Sequence, residues 1–410
     1  MAERLINYME ALEFIHRRVV PVAPKRVALW DLPGMTLAED IYAREDSPPF
    51  DNSAMDGYAV RTTDVRHASP GTPAVLRMVE EIFAGPSLPQ SELQPGWAAK
   101  IMTGAPIPRG ADAVVMVEET KLKNREVSIF SSARPGQNIR ARGSEMKKGD
   151  SLLPAGCKMG SAEIGLLALQ GIREAPAREN PRVALMTSGD ELVDPEETPQ
   201  GGQVRNANTY TLSAELQAWG CPVINLGIAQ DEPAAIRARL EKGLKEAEVI
   251  VTSGGVSAGE KDYLPRILKE MGAEIVFHKV SIKPGKPVLF AVWKDRYLFA
   301  LPGNVVSVLT TFHLFVKPAL RRRVGREPWK NPVWYVRLAA PMSNPGGRTQ
   351  FVRCRLSHSP TGLPLAIPTG QQGSGMLTSM RGAEGFAVIP ADVSVVDEFE
   401  ILEFIPLRWD

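Results

Sequence analysis

Glu248 to Gly272 reads EVIVTSGGVSAGEKDYLPRILKEMG. A run of β-branched residues from Val249 to Thr252 stops at Ser253-Gly254-Gly255, and apolar residues at helical spacing take over at Leu264, Ile267, Leu268 and Met271. Strand, glycine-rich loop and helix in that order are the unit from which parallel sheets with crossover helices are built. The order occurs twice more upstream: RVALMT (182–187) precedes NTYTLSAELQAWG (208–220), and PVINLGIA (222–229) precedes PAAIRARLEKGLKEA (233–247). The segment 181–325 is therefore expected to be a doubly wound α/β domain. In such sheets ligands bind outside the carboxyl ends of the strands.

Outward from this segment the texture of the chain changes. Leu5, Ile6, Met9, Leu12, Ile15 and Val19 recur at helical spacing and predict an opening amphipathic helix that Pro21 ends. Short β-rich runs such as AVLRMVEEIF and ADAVVMVEET then alternate with Pro and Gly as far as Gly149, and a helical pattern returns in GDSLLPAGCKMGSAEIGLLALQG. The expected division is a helical/linker domain from 1–27 with 45–51 and 150–180, and an inserted β-rich module from 28–44 with 52–149. After Arg326 the runs PVWYVRLAAPM, TQFVRCRLSH, GFAVIP and EFEILEFIPL predict a small C-terminal β-barrel or sandwich over 326–410. Arg321-Arg322-Arg323, just before it, reads as a basic, solvated helix end.

Composition narrows the chemistry. With Lys+Arg 48 against Asp+Glu 47 in 410 residues, there is no general positive field for nucleic acid or an acidic membrane, so an anion must be captured locally. No apolar run approaches a membrane span and no signal pattern opens the chain, which makes the cytoplasm the expected location. Three widely spaced cysteines, Cys157, Cys221 and Cys354, read as reduced and buried thiols. The five histidines include no pair at metal-ligand spacing, so a metal here would be hard and oxygen-ligated, such as Mg²⁺.

Four loops carry the candidate chemistry. MTSGDELV places Ser188, Gly189, Asp190 and Glu191 after the first strand of the α/β segment, and VTSGGVSAGEKDY places Ser253, Gly254, Gly255, Glu260 and Asp262 after the third. Hydroxyls and glycine N–H groups suit an anion, and the carboxylates beside them, with Asp231 of AQDEP, suit a cation. The competing reading of each Ser-Gly loop is a tight turn with a helix cap. KPGKP sets Lys283 and Lys286 on a proline-stiffened turn, either an oxyanion site or a solvated turn. ALPGNVV places Pro302, Gly303 and Asn304 at the start of a helix. GVSAG (255–259) also matches a nucleophile elbow, with His278, His313 and His358 as candidate bases, but Ser257 lies well past the strand.

Taken together, PPFDNSAMDGYAV (48–60), IMTGAPIPRGADAVVMVEE (101–119), ALMTSGDELV, VTSGGVSAGEKDY, KPGKP and LPGN resemble, in order and spacing, the molybdopterin molybdenumtransferase family, which includes the gephyrin E domain. The resemblance runs over nearly the whole chain. It implies insertion of molybdate, or tungstate, into adenylylated molybdopterin with release of AMP in a Mg²⁺-dependent reaction. It implies a homodimer in which Asp56, with Thr103 and Glu145, serves the α/β cleft of a partner subunit, and it allows the molybdopterin adenylyltransferase as a further partner. Under the same resemblance Ser253, Gly254, Gly255 and the turn at Asn304 hold phosphate, Lys283 and Lys286 hold molybdate, and Glu191, Asp262 and Asp231 hold Mg²⁺. Ser188, Gly189, Asp190, Pro302, Gly303 and Arg353 complete the expected substrate contacts. Glu145, Val305 and Ala258 depart from the usual Asp, Pro and Val. A dimeric scaffold like gephyrin and a serine hydrolase built on Ser257 are the alternative functions.

Overall fold

The computed structural model describes residues 5–256, 263–359 and 362–408. It forms two compact units. The larger comprises Met1–Glu39, Ala155–Ile164 and Glu174–Asp410; the smaller comprises Asp40–Pro154 and Gly165–Arg173.

The larger unit is built on a six-stranded sheet. Its strands are β1 (Val183–Ser188), β2 (Val223–Ala229), β3 (Val249–Ser253), β4 (Glu274–His278), β5 (Leu289–Trp293) and β6 (Arg296–Leu301). Across the sheet the order is β2-β1-β3-β6-β5-β4; the first four strands are parallel and the last two pair antiparallel. Helices α1 (Asn208–Ala218), α2 (Pro233–Glu246) and α3 (Leu264–Glu270) follow β1, β2 and β3, and α4 (Val305–Thr311) follows β6. The chain leaves β1 for β2 on one side and crosses back to β3 on the other, so the topological switch point lies between β1 and β3.

Every residue of β1 and β3 is buried, which is why these strands read as continuous apolar runs instead of alternating ones. The alternation is nevertheless present. Val183, Leu185, Val249 and Val251 face a core shared with Leu212 and Leu216 of α1, the opening helix and the helical stretch 308–320. Ala184, Met186 and Ile250 face the opposite core, with Ile236, Leu240 and Leu244 of α2 and Ile267 and Leu268 of α3.

The C-terminal strands β7 (Trp334–Leu338), β8 (Thr349–Ser357), β9 (Leu365–Pro368), β10 (Gly385–Ile389) and β11 (Ile401–Pro406) pair in the closed cycle β8-β9-β7-β11-β10-β8. Closure leaves no sheet edge within the five-stranded barrel. The two-residue strand Ile282–Lys283 lies parallel to β8, pairing Lys283 with Gln350, so the lysine turn is attached to the barrel.

In the smaller unit six strands lie in the order Ala113–Met116, Gly57–Val60, Trp97–Ile101, Ala74–Ile82, Glu126–Ile129 and Thr120–Lys123. The stretch 47–54 is knitted into this unit by backbone bonds. Ser47 N donates to Met146 O (2.8 Å), Ser53 N to Ala105 O (3.0 Å), Ala54 N to Asn138 O (2.9 Å) and Gly143 N to Pro48 O (2.9 Å).

Two expectations change. Residues 45–51 belong to the β-rich unit because of those bonds, whereas Thr36–Leu37, expected in that unit, pairs with Glu174–Arg178 in the larger one, as Lys25–Ala28 does. The opening helix Tyr8–Arg18 is capped at Asn7 and buries Ala11, Leu12 and Ile15 in the α/β core, in the same unit as Ala155–Ile164 and Glu174–Arg178. Arg321 and Arg323 are buried, not solvated: Arg321 donates to Asn331 Oδ1 (2.8 Å) and Arg323 to Val20 O (2.8 Å) while lying over the Tyr297 ring. Val20 lies 303 positions from Arg323 and Asn331 ten beyond Arg321, both outside the helix, so local charge patterning does not show them.

Gly385 of the barrel has Phe404 seated against it; a Cβ there would stand 2.3 Å from two carbons of the ring. Gly385→Ala is expected to destabilise the protein by about 1–3 kcal/mol in urea unfolding, the usual cost of overpacking a filled core. Gly71→Ala, where a Cβ meets nothing within 4 Å, is the control and should stay within about 0.5 kcal/mol of the parent.

Candidate functional site

At the carboxyl edge of the sheet, β1 ends at Ser188, β3 at Ser253 and β6 at Leu301, and the loops expected to carry chemistry begin there. The first two are in direct contact. Gly254 has φ +93°, and a Cβ on it would lie 2.4 Å from Ser188 O; one on Gly255 would lie 3.1 Å from Ser188 Oγ. Only glycine permits that approach. The second and third loops are bonded: Ser253 Oγ donates to Pro302 O (3.0 Å) and Gly254 N to Leu301 O (3.1 Å).

Two side chains that the sequence reading assigned only to helix α1 and its approach complete the network. Asn208 Nδ2 donates to Ser253 Oγ (2.8 Å) and to Gly303 O (2.7 Å). Asn206 Nδ2 donates to Thr187 Oγ1 (2.9 Å) and Thr209 Oγ1 (3.0 Å). Thr187 and Ser253 lie at the ends of two strands and Gly303 follows a third, so the order of strands in the sheet is what brings these partners together. Asn304 donates from Nδ2 to Ser374 Oγ (3.1 Å) and Val306 N donates to Ser374 O (3.1 Å), which brings a loop of the C-terminal region onto the start of α4.

The lysine turn lies against the same helix. A Cβ on Gly285 (φ +106°) would meet Thr311 Cγ2 at 2.5 Å, so the turn packs on α4 through a glycine. Lys286 O accepts from Val280 N (3.0 Å) and Val288 N (3.0 Å), which fixes the turn through its backbone. Lys283 is half-buried and Lys286 exposed, and among the described residues neither ammonium is paired with a carboxylate.

The carboxylates expected to hold a metal are less concentrated. Asp190 Oδ1 accepts from Asp231 N (3.0 Å), which joins the loops after β1 and β2. Glu191 folds its carboxylate over Gly189, where a Cβ would lie 2.7 Å and 2.8 Å from its two oxygens. Among the described residues no three His, Cys, Asp or Glu side chains cluster as a metal cage. Asp262 and Glu260 lie outside the described residues, as does Ser257 of the nucleophile-elbow reading.

Arg353 is buried, at 1% exposure, and is not an open cation facing a ligand. Its Nε donates to Ser379 Oγ (3.1 Å) and its Nη2 to the carbonyls of Gln371 (3.2 Å) and Gly373 (3.1 Å), so it holds the loop that carries Ser374. Burial lowers its pKa to about 10.

In the smaller unit Thr103 N (2.7 Å) and Thr103 Oγ1 (2.8 Å) both donate to Asp56 Oδ1. The backbone bond first, then the hydroxyl, holds the Asp56 carboxyl below its ordinary range. The Asp51 side chain instead accepts from Arg142 N (2.7 Å), 91 positions along the chain, and so ties two segments of the unit together. Glu145, exposed, accepts from Ser47 Oγ at 2.8 Å.

Sequence models of three protein regions match the chain in succession: the MoeA N-terminal region (domain I and II) over 6–171, a probable molybdopterin binding domain over 184–322, and the MoeA C-terminal region (domain IV) over 335–407. A molybdopterin molybdenumtransferase of Nostoc sp. is 38% identical over 370 residues, covering 89% of this chain and 84% of that protein. One from Haemophilus influenzae is 34% identical over 390 residues, 95% of each chain. Among solved structures, the molybdopterin biosynthesis moeA protein of Pyrococcus horikoshii OT3 superposes with a TM-score of 0.82 at 29% identity, over 98% of this chain and 100% of that one.

Because Asp56 has a depressed carboxyl pKa, its contribution to stability is complete above the ordinary carboxylate range and is lost as pH falls through the lowered value. Thr103→Val removes the hydroxyl and keeps the backbone donor. The Asp56 carboxyl should then titrate at higher pH than in the parent while staying below the ordinary range, as read by carbon-detected NMR. An unchanged titration would mean that the hydroxyl bond has no influence on the carboxylate.

Proposed function

This chain belongs to the molybdopterin molybdenumtransferase family, and we propose that it inserts molybdate into adenylylated molybdopterin and releases AMP. The observation that supports this reading most directly is the convergence of Ser188-Gly189, Ser253-Gly254-Gly255 and Pro302-Gly303-Asn304 at the carboxyl edge of the sheet, beside a turn whose two lysines are, among the described residues, not paired with a carboxylate. Backbone N–H groups and hydroxyls of the three loops suit phosphate groups. Lys283 and Lys286 suit a doubly charged oxyanion, and their stiff turn limits the entropy lost on binding it. Holding the dithiolene and the oxyanion side by side is largely proximity catalysis, so no protein nucleophile is needed.

The described carboxylates do not make a closed metal cage, but they fit Mg²⁺, which commonly takes one or two carboxylates and completes its octahedron with substrate phosphates and water. Glu191 and Asp231 would hold it, with Asp262 from outside the described residues. When bound, the ion offsets the negative charge that develops on the departing AMP. The reading places the protein in the cytoplasm; among the described residues no helix is long and apolar enough to cross a membrane. Incubation with adenylylated molybdopterin and molybdate, with and without Mg²⁺, tests the reading. AMP release and protein-bound molybdenum should both require the complete mixture, and release that persists in excess chelator would remove the metal from the reaction.

Because the lysine turn is held by its backbone, Lys286→Ala should raise the molybdate concentration for half-maximal insertion and leave the melting temperature nearly unchanged. A sharp fall in melting temperature with an unmoved molybdate dependence would make the turn structural.

The proposal includes a homodimer in which Asp56, Thr103 and Glu145 of one subunit serve the loops of the other. Asp56→Ala and Lys286→Ala homodimers should each be weakly active, and subunit exchange between them should restore up to one intact site of two. Confirmed exchange without recovery would show that Asp56 serves its own chain.

A further inference from the structure

The ladder between β3 and β6 ends at the pair Ser253–Leu301, and the bond from Gly254 N to Leu301 O carries the backbone link one residue further. Beyond that link, something other than sheet pairing must set their spacing. We infer that Asn208 is the positioning residue that fixes the distance between the Ser253-Gly254-Gly255 loop and the Pro302-Gly303-Asn304 turn, and so presets their N–H groups for the phosphates of the substrate. This rests on the functional reading above and adds to it a residue that contacts the loops rather than the reacting groups.

The hydrogen-bond geometry is specific. Asn208 is 8% exposed, and both hydrogens of its Nδ2 are committed, one to Ser253 Oγ (2.8 Å) and one to Gly303 O (2.7 Å). A carbonyl oxygen can only accept, so the amide nitrogen must face Gly303, and the orientation of the side chain is determined by its partners. Ser253 Oγ accepts from Asn208 and donates to Pro302 O (3.0 Å), so one amide and one hydroxyl join Ser253 of one loop to the carbonyls of Pro302 and Gly303 in the other. Asn208 is the first residue of α1, yet among the described residues the bonds of its side chain go to these two loops and not to its own helix. A local capping role therefore does not account for it. Asn206, two residues earlier, ties the end of β1 through Thr187, so the tetrad Asn206-Ala207-Asn208-Thr209 touches the ends of all three loop-bearing strands.

Phosphate recognition by backbone N–H groups depends on such spacing, since a loop that must be ordered on binding gives up part of its affinity. The test uses the full chain in four forms: parent, Asn208→Ala, Ser253→Ala and the double variant. We expect Asn208→Ala to raise KM for adenylylated molybdopterin roughly tenfold or more, the usual consequence of leaving buried hydrogen-bond partners unmade. The double variant should lose less than the sum of the two single ones, because both remove the Asn208–Ser253 bond. Asn208→Leu, which fills the space without donors, should not rescue. In the substrate-free protein, amide exchange at 254–255 and 303–305 should quicken in Asn208→Ala. Additive losses, rescue by leucine, or an unchanged KM in an otherwise active protein would overturn the inference. A parent protein that releases no AMP would sink the functional reading instead, and the exchange comparison would still decide whether Asn208 holds the loops.

Discussion

The close approach of Gly254 to Ser188 O is the constraint around which the α/β unit is organised. A Cβ at this point would stand 2.4 Å from a backbone oxygen that cannot move without unpairing β1. Two strands that are neighbours in the sheet thus keep their loops in contact after their ladder has ended. Every polar link at the switch point then follows as a short bond: Ser253 to Pro302, Asn208 to Ser253 and Gly303, and Asn206 to Thr187. A buried polar network of this kind is stabilising only when its members are satisfied, and these members satisfy one another across segments 19 to 95 residues apart.

The same device recurs at the lysine turn. Gly285 lets the turn lie on Thr311 of α4, and the short strand Ile282–Lys283 ties its entrance to β8 of the barrel. Arg353, inside the barrel wall, holds the loop whose Ser374 meets Asn304 at the start of α4. Two backbone segments therefore reach α4, one near each end. The barrel does not need to supply a ligand contact to influence the cleft; it supports the turn on one side and the helix start on the other.

How far the sequence could be read follows from the range of each interaction. The α/β order was legible because strand, loop and helix are local patterns, and all three strand–helix units occur where their apolar spacing places them. The loops Ser188-Gly189, Ser253-Gly254-Gly255 and Pro302-Gly303-Asn304 were legible because glycine and serine at a strand end are themselves the signal. Asn208 was not, since an asparagine at the start of a helix looks like any polar residue there, and its partners lie 45 and 95 positions away. The burial of Arg321 and Arg323 was hidden for the same reason: the groups that receive them, Asn331 and Val20, belong to segments that only the tertiary fold brings over the helix end. Residues 45–51 were misassigned because their pairing with 141–147 is a backbone matter that leaves no mark in side-chain periodicity.

A protein proposed to load molybdenum onto a dithiolene must also avoid offering the metal a competing thiolate. Soft thiolate ligands attract such metals, and it is the deprotonated sulfur that binds. Here burial pushes the Cys221 and Cys354 thiols up to about 12, and both side chains are closed off from solvent. Cys157, half-buried, is raised as well, by burial first and then by the nearby Glu163. At neutral pH all three are therefore held toward the protonated form. The cleft residues, by contrast, are hydroxyls, amides, carboxylates and ammonium groups. That donor set holds an oxyanion and a hard cation while leaving the substrate's own sulfurs as the soft ligands available to the metal.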